Sequence, residues 1–530
     1  MRRPLILNGF MATGKSTVGA LVARRTSRPF IDLDRAIEVE TGASVESLFA
    51  TRGEAAFRAL ERACLERVLR EAATATTEAP VIAVGGGALL SRDIRLRALD
   101  ECVVVTLEGS PAELTRRALR QGQRPLLSGP NPEQRVSELL GLRAPAYAEA
   151  HARVSCEPPP ANVAAEVSEI WSRDELAVGA GEASYGVQTG LGFASGRIGA
   201  LVAESPVCVL VSDQTVSALH AAPIEAALRA TGSKLIRIDL EPGEAHKHIG
   251  SIEKIWHAAL EGGADRKATF VGLGGGVVTD MTGFAASTWM RGVRWIGIPT
   301  TLLAMVDASV GGKTGVDLAA AKNAVGAFWQ PSSVLCDVHH LKTEARRGFV
   351  SGLAEVVKTA LIGDPDLFEL LEDQAEHVAS GDLDLAAEIV RRSIRVKARI
   401  VSFDQRESGL RAVLNLGHTV GHALEAQAGY TALTHGEAVS LGLVAALRLG
   451  EVLGQTPREL SERTLALLNR LGLPASLAGQ PLSEAAALLG HDKKRAGSNV
   501  KFVFARALGQ VETQSISLSE LRTRVIALAE

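Results

Sequence analysis

Residues 9–16, GFMATGKS, follow the pattern G-x-x-x-x-G-K-[ST]. Between a strand and a helix, such a loop wraps phosphates in backbone N–H groups. Lys15 then reaches the β- and γ-phosphates and Ser16 can hold Mg2+. Far downstream, residues 272–280 read GLGGGVVTD after the apolar run ATFV. Read from Gly274, the run is G-G-G-V-V-T, so Thr279 occupies the third-glycine position of a dinucleotide fingerprint, a weak match on its own. A third group is of metal-ligand type. In NLGHTVGHALE (415–425), His418 and His422 lie four apart on one helical face, and THGE (434–437) adds His435. SGLAEVVKTAL (351–361) puts Glu355 and Lys358 on one face of a helix. One carboxylate and two imidazoles form a catalytic Zn2+-type donor set with a position left open for substrate. A lone i, i+4 histidine pair is as readily two core or surface residues. Three histidines within 18 residues, in a chain with 12, favour a metal.

These groups need particular elements behind them. PLILN (4–8) reads as a short buried strand feeding the first Gly loop. PVIAVGGG (80–87) and CVVVTLEG (102–109) alternate with helical patterns such as 54–73, which argues for a parallel sheet covered on both faces. At 156–183 three prolines and then small residues read as a linker with one helix in it. A second α/β region follows, with strands expected at 207–213, 234–240, 268–276 and 294–300. Beyond about residue 340 long helical patterns dominate. The expected fold is α/β: a P-loop kinase domain with a parallel sheet (1–158), a linker (159–183), a Rossmann-like α/β domain (184–339) and a mainly α-helical C-terminal domain (340–530).

Bulk composition narrows the function classes. The 530 residues carry a net charge of −3, with 46% hydrophobic and 22% charged residues, which suits several globular cores. The near-neutral balance and 4% aromatic content give no support to nucleic-acid binding. No apolar stretch approaches a membrane span, and the N-terminal apolar run is too short for a signal peptide. Five scattered cysteines without a CxxC fit a reducing compartment, so a cytoplasmic location is expected.

Further motifs accompany the first loop. FIDLDRAIE (30–38) places Asp32 and Asp34 at strand spacing on one face, GEAAFRALE (53–61) puts Arg58 on a helix, and GGG (85–87), RPLL (124–127) and LRAPAY (142–147) follow. Each alone could be a turn or a solvated charge. In this order they resemble the shikimate kinase family over about residues 1–170. The resemblance implies that Ala12, Thr13, Gly14, Lys15, Ser16 and Thr17 bind ATP, that Ser16 and Asp32 serve Mg2+, and that Arg124 touches ATP from a lid. It also implies that Asp34, Arg58, Gly86 and Arg143 hold shikimate. Asp34 could accept the proton of the attacking hydroxyl while two arginines fork onto the carboxylate.

DLEPGEAHK (239–247), IPTTLLAMVDASVGGKTGVD (298–317) and AKNAVGAFWQP (321–331) surround the second Gly run. Together with the histidine segments they resemble 3-dehydroquinate synthase, from about residue 184 to the C-terminus. The resemblance implies that Glu355, His418 and His435 bind Zn2+ or Co2+, with His422 on the substrate side. NAD+ would be held by Pro242, Gly243, Glu244 and Lys247, by Gly276, Val277, Val278, Thr279 and Asp280, and by Thr300, Thr301, Lys313 and Lys322. His340, Leu341, Lys342 and Thr343 complete that set. Arg291, Asp307, Lys313, Asn323, Lys358 and Lys397 would line the site for a seven-carbon sugar acid phosphate. Arg411, Asn415, His422, Lys493 and Lys494 would join them. The family usually has glycine where this chain has Thr279, a difference that matters if the position needs φ > 0.

The implied cycle oxidises a ring hydroxyl with NAD+, expels phosphate, returns the hydride and closes a carbocycle, so NAD+ is recycled. A homodimer through the synthase half is also implied. Two alternatives stand beside this: a kinase fused to a metal-dependent polyol or glycerol-phosphate dehydrogenase, and a kinase fused to a non-catalytic scaffold half.

Overall fold

The computed structural model describes residues 3–74, 78–120, 131–318, 321–429, 432–490 and 499–528. The chain divides into two compact units, Met1–Gln188 and Thr189–Glu530.

In the first unit five parallel strands run in the order Phe30–Asp32, Val81–Ala83, Leu5–Gly9, Val103–Glu108, Ala152–Ser155. The short run Leu5–Leu7 is apolar throughout because both sheet faces are covered. Leu5 and Leu7 enter one core with Val103 and Val105, and Ile6 enters the other with Ile82 and Val104. The phosphate-type loop leaves the central strand and opens the helix Lys15–Thr26. The segment 159–183, expected as a linker, contains a helix, Pro160–Arg173, whose Val163, Val167 and Trp171 lie in the first core. The Trp171 indole donates to the Arg3 carbonyl at 2.8 Å. Its prolines stand at the start of that helix, where a missing N–H costs nothing. An antiparallel hairpin, Leu176–Val178 with Tyr185–Gly190, follows.

In the second unit five parallel strands run in the order Ser333–Asp337, Arg294–Pro299, Thr269–Gly274, Val207–Asp213, Lys234–Leu240. A hairpin, Lys313–Leu318 with Ala321–Phe328, stands apart from them. From Arg346 onward helices dominate among the described residues, together with a hairpin, Asn499–Ala507 with Gln510–Ser517. The helix Arg346–Gly363 is buried from Ser351 to Ile362, as expected for a helix with apolar residues on every face. It packs against the helices His435–Val452 and Leu383–Phe403.

Among the described residues, no helix is long and apolar enough to cross a membrane.

Candidate active sites

The kinase-type loop has the backbone its pattern requires. Gly14 caps the helix at φ 87°, in the left-handed region where glycine carries no Cβ penalty. Thr13 is buried and donates to the Phe10 carbonyl at 2.8 Å. Lys15 Nζ folds back onto the Gly9 and Phe10 carbonyls, 2.9 Å each. Ser16 and Thr17 are exposed at the helix start.

Asp32 and Asp34 do not share a strand face. The strand ends at Asp32, whose carboxylate accepts from Arg35 N and caps the helix Leu33–Thr41, so Asp34 stands in that helix's first turn. Capping by an aspartate overrode the i, i+2 reading. The two carboxylates still sense one another. Burial first, then Asp32, push Asp34 above its ordinary pKa, while Lys15 and Arg58 pull against them.

Arg58 lies on the helix Val45–Thr74, beyond a kink at Gly53. It donates to Glu61 at 2.5 Å and to Glu54 at 3.3 Å, and its guanidinium lies over Phe49 and Phe57. A Cβ on Gly87 would stand 2.2 Å from that guanidinium, so GGG leaves room for Arg58. The Gly86 carbonyl accepts from Tyr147 at 2.6 Å and Arg143 at 3.5 Å, and Arg143 sits over the Phe10 ring. Thus Lys15 and Arg58 both act on Asp34, Arg58 lies against Gly87, and Arg143 lies against Gly86. Sequence reasoning missed Glu61 and Tyr147. Each holds a residue it did find, at i+3 and i+4 spacing that a helical wheel carries. Arg124 lies outside the described residues.

In the second unit the glycine run forms a turn from the strand Thr269–Gly274 into the helix Gly276–Thr288. Val277, Val278, Thr279 and Asp280 occupy the opening turns of this helix. Thr279 is helical: its N–H donates to Gly275 O at 3.1 Å and its hydroxyl to Gly276 O at 3.0 Å. Position 279 therefore needs no φ > 0, and threonine is accommodated with its hydroxyl satisfied. Beside this turn Thr300 is buried and its hydroxyl has no hydrogen-bond partner, an orphan of the sort a bound dinucleotide would satisfy. Thr301 neighbours Gly275. Pro242, Gly243 and Glu244 form the turn after the strand Lys234–Leu240. Lys247 is buried and donates to Asp280 at 2.7 Å and to Asn323 at 2.6 Å. Burial raises the Asp280 carboxyl to about 6 against the pull of Lys247. His340 and Leu341 are buried, Lys342 is exposed, and the Thr343 hydroxyl is 2.7 Å from His220 Nε2.

The metal-type residues converge. His418 Nε2 lies 3.4 Å and His435 Nε2 3.3 Å from Glu355 Oε1. The ligand atoms of the three residues fall within 4.8 Å of one another. Glu355 is buried, with its Oε2 paired to Lys358 and its Oε1 facing the two histidines. Two imidazole nitrogens facing one oxygen of a buried carboxylate fit a divalent cation. Burial would raise the Glu355 pKa, but Lys358 and the two histidines hold it well below the ordinary range. The His422 ring centroid is 5.1 Å from that of His418.

Close helix approach makes this cluster possible. A Cβ on Gly436 would fall 1.8 Å from Ser351 O, so the start of the helix His435–Val452 presses onto the helix bearing Glu355.

Next to the cluster, Asp307 sits on a π turn, Ala304–Ala308, with Lys397 Nζ on its carboxylate at 2.5 Å and its carbonyl at 2.6 Å. Glu355 and Lys358 both act on the Asp307 charge. Lys397 is thus buried rather than a solvated surface lysine. Buried Arg411 donates to the carbonyls of Gly311 at 3.1 Å and Gln405 at 2.8 Å. Lys313 pairs with Glu407, which also accepts from Asn415 at 3.1 Å. Sequence reasoning missed Glu407 because nothing in a polar loop marks one carboxylate over its neighbours. Arg291 stands on an exposed turn at φ 69°, and Lys493 and Lys494 lie outside the described residues.

Residues 237–351 match the family model for the 3-dehydroquinate synthase N-terminal region, and residues 352–495 that for its C-terminal region. A 3-dehydroquinate synthase of Rhodospirillum rubrum is 44% identical over 366 residues, covering 66% of this chain and 94% of that protein. The chain belongs to the 3-dehydroquinate synthase family. Residues 11–171 match the shikimate kinase family model, so this synthase is fused to a kinase module. One chain thus carries a phosphotransferase and a carbon–oxygen lyase of the shikimate pathway. Among solved structures, the 2-epi-5-epi-valiolone synthase ValA of Streptomyces hygroscopicus subsp. jinggangensis 5008, with NAD+ and Zn2+ bound, is 27% identical. It has a TM-score of 0.59 and covers 65% of this chain and 96% of its own. A 2-deoxy-scyllo-inosose synthase shares the fold at 22% identity and TM-score 0.61, covering 66% of this chain and 99% of its own. The dehydrogenase and scaffold alternatives are not favoured against a synthase relative of such identity.

Proposed function

We propose that the first unit phosphorylates shikimate through Lys15, Asp34, Arg58 and Arg143, and that the synthase unit converts the heptulosonate phosphate to 3-dehydroquinate around Glu355. In the kinase, the loop 12–17 cradles the ATP phosphates. Lys15 leaves its two carbonyl partners for the transferring phosphate. Arg58 and Arg143 hold the substrate carboxylate, and Asp34 takes the proton of the attacking hydroxyl. Mg2+, held by Ser16 and Asp32, supplies charge neutralisation.

In the synthase, the convergence of His418 and His435 on Oε1 of the buried Glu355 carboxylate is the observation that carries the reading. These three residues hold a Zn2+ or Co2+ ion, which supplies Lewis-acid polarisation of a substrate hydroxyl. The turn 274–280 with Thr300, Thr301 and Lys322 would hold NAD+, the group bound by the Streptomyces relative, which would supply a reversible hydride acceptor. Lys358, Lys397 and Arg411 neutralise the substrate's anionic groups, with Asp307 holding Lys397 in place. Glu407, kept ionised by Lys313 and Asn415 against its burial, is available as a proton acceptor at that end of the site.

The test is phosphate release from the heptulosonate phosphate by the full chain, with NAD+ far below substrate and Zn2+ or Co2+ present. Many phosphates per NAD+, abolished by chelator, are expected. Net NADH accumulation, or release indifferent to chelator, sinks the reading.

The synthase unit forms a homodimer in this proposal, through the hairpin that leaves Leu318, Val325 and Phe328 exposed. Light scattering on a Phe328→Glu variant should then show a monomer. All five cysteines are free and buried, in keeping with a reducing cytoplasm.

A further inference from the structure

His435 has two ring nitrogens, and only Nε2 faces Glu355. Its Nδ1 lies 3.5 Å from Glu425 Oε2, and the other oxygen of Glu425 is 3.0 Å from Lys322 Nζ. Glu425 is buried, three residues beyond His422 on the helix His418–Gln427. A buried carboxylate without partners is costly, and here its two oxygens are divided between a histidine and an ammonium group. His422, Glu425 and His435 also gather their ligand atoms within 4.8 Å of one another, as a cation site would. Lys322 already supplies the positive charge there, and His435 cannot bind two metals without losing its ring proton. The group is therefore better suited to orienting His435 than to holding a second ion.

We infer that Glu425 is a positioning residue: it fixes His435 as the Nδ1–H tautomer, aims Nε2 at the metal, and ties that histidine to Lys322 on the dinucleotide side. This rests on the metal and NAD+ roles proposed above. A carboxylate behind a ligating histidine raises its basicity and fixes its ring, and loss of such a partner typically lowers metal affinity about 10–100-fold. The Lys322 link adds a second consequence. Removing the ammonium group frees Glu425 to act on His435 alone, so a residue that is no metal ligand should alter metal binding.

The experiment is Co2+ titration of the metal-free full chain, read by the visible absorption of the bound ion, with thermal unfolding of each metal-free protein as a control for folding. Glu425→Gln should bind Co2+ about 10–100-fold more weakly with an altered spectrum, while its metal-free melting stays near that of the parent. Lys322→Met should shift Co2+ affinity several-fold. In the Glu425→Gln background the same change should have no further effect, because the two act through one contact. Parent affinity and spectrum in Glu425→Gln overturn the inference. Should that variant not fold, Lys322→Met decides alone, and unchanged Co2+ affinity there overturns it. Glu355→Ala separates the two readings. If it binds Co2+ as the parent does, the metal assignment fails; if it loses Co2+ while Glu425→Gln keeps parent behaviour, only the positioning role fails.

Discussion

Gly442 lies so close to Gly417 that a Cβ on it would stand 1.9 Å from the Gly417 carbonyl oxygen. Gly417 immediately precedes His418, and Gly442 sits two turns into the helix that His435 opens. Backbone contact between these two helices sets the distance between the histidines. Gly442→Ala should cost about 1–3 kcal/mol of stability by overpacking and also weaken Co2+ binding, because the helices must separate. Thermal unfolding and Co2+ titration of one preparation would check both effects.

The two chemistries should be separable by single substitutions. Lys15→Met should lower shikimate-dependent ADP formation by at least ~10²-fold and leave phosphate release from the heptulosonate phosphate unchanged. Glu355→Ala should do the reverse. Loss of both activities from either change would show that each half needs the other's integrity.

Asp34 is held above its ordinary pKa by burial and by Asp32. As the kinase base it must be ionised, so kinase kcat should rise with pH through a midpoint above 3.8. Asp34→Asn should lower kcat by ~10²–10⁴-fold and remove that acid limb. A pH–rate profile of both proteins checks the pair of outcomes.

Glu407 lies between Lys313 and Asn415. Glu407→Gln keeps the volume and removes the charge. Synthase kcat should fall by ~10²-fold or more, while stoichiometric Co2+ binding persists, since Glu407 is not among the metal-type residues. Steady-state phosphate release beside Co2+ titration would show the split.

Burial pushes the Glu344 carboxyl up to about 7 against the Leu302 N–H it accepts at 2.9 Å. The folded state thus keeps a proton that the unfolded chain releases near 4.5. The resulting stability is complete below that pH and is lost as pH rises through about 7. Glu344→Gln should flatten this stretch of the stability profile and raise the melting temperature by a few degrees above pH 7. Melting curves from pH 5 to pH 8 would show it.

The sequence by itself determined the chemistry and its order along the chain. The phosphate loop, the glycine turn, and the residue types Glu355, His418 and His435 are local patterns. Hydrogen bonding within one turn, or spacing along one helix, dictates them. The parallel strands were legible for the same reason, as apolar runs bounded by glycine. Thr279 was open to two readings until the structure put it inside a helix, because φ depends on where the helix begins.

The tertiary structure alone decided which residues meet. Asp34 left the strand face because Asp32 caps a helix. The expected linker joined a core because Trp171 found the Arg3 carbonyl. Glu425 and Glu407 each gained one partner from far along the chain, 103 and 94 residues away in sequence. A single buried carboxylate carries no periodic signal. Its role is set by the two cations or donors that folding brings to its oxygens, and that pairing is a property of packing.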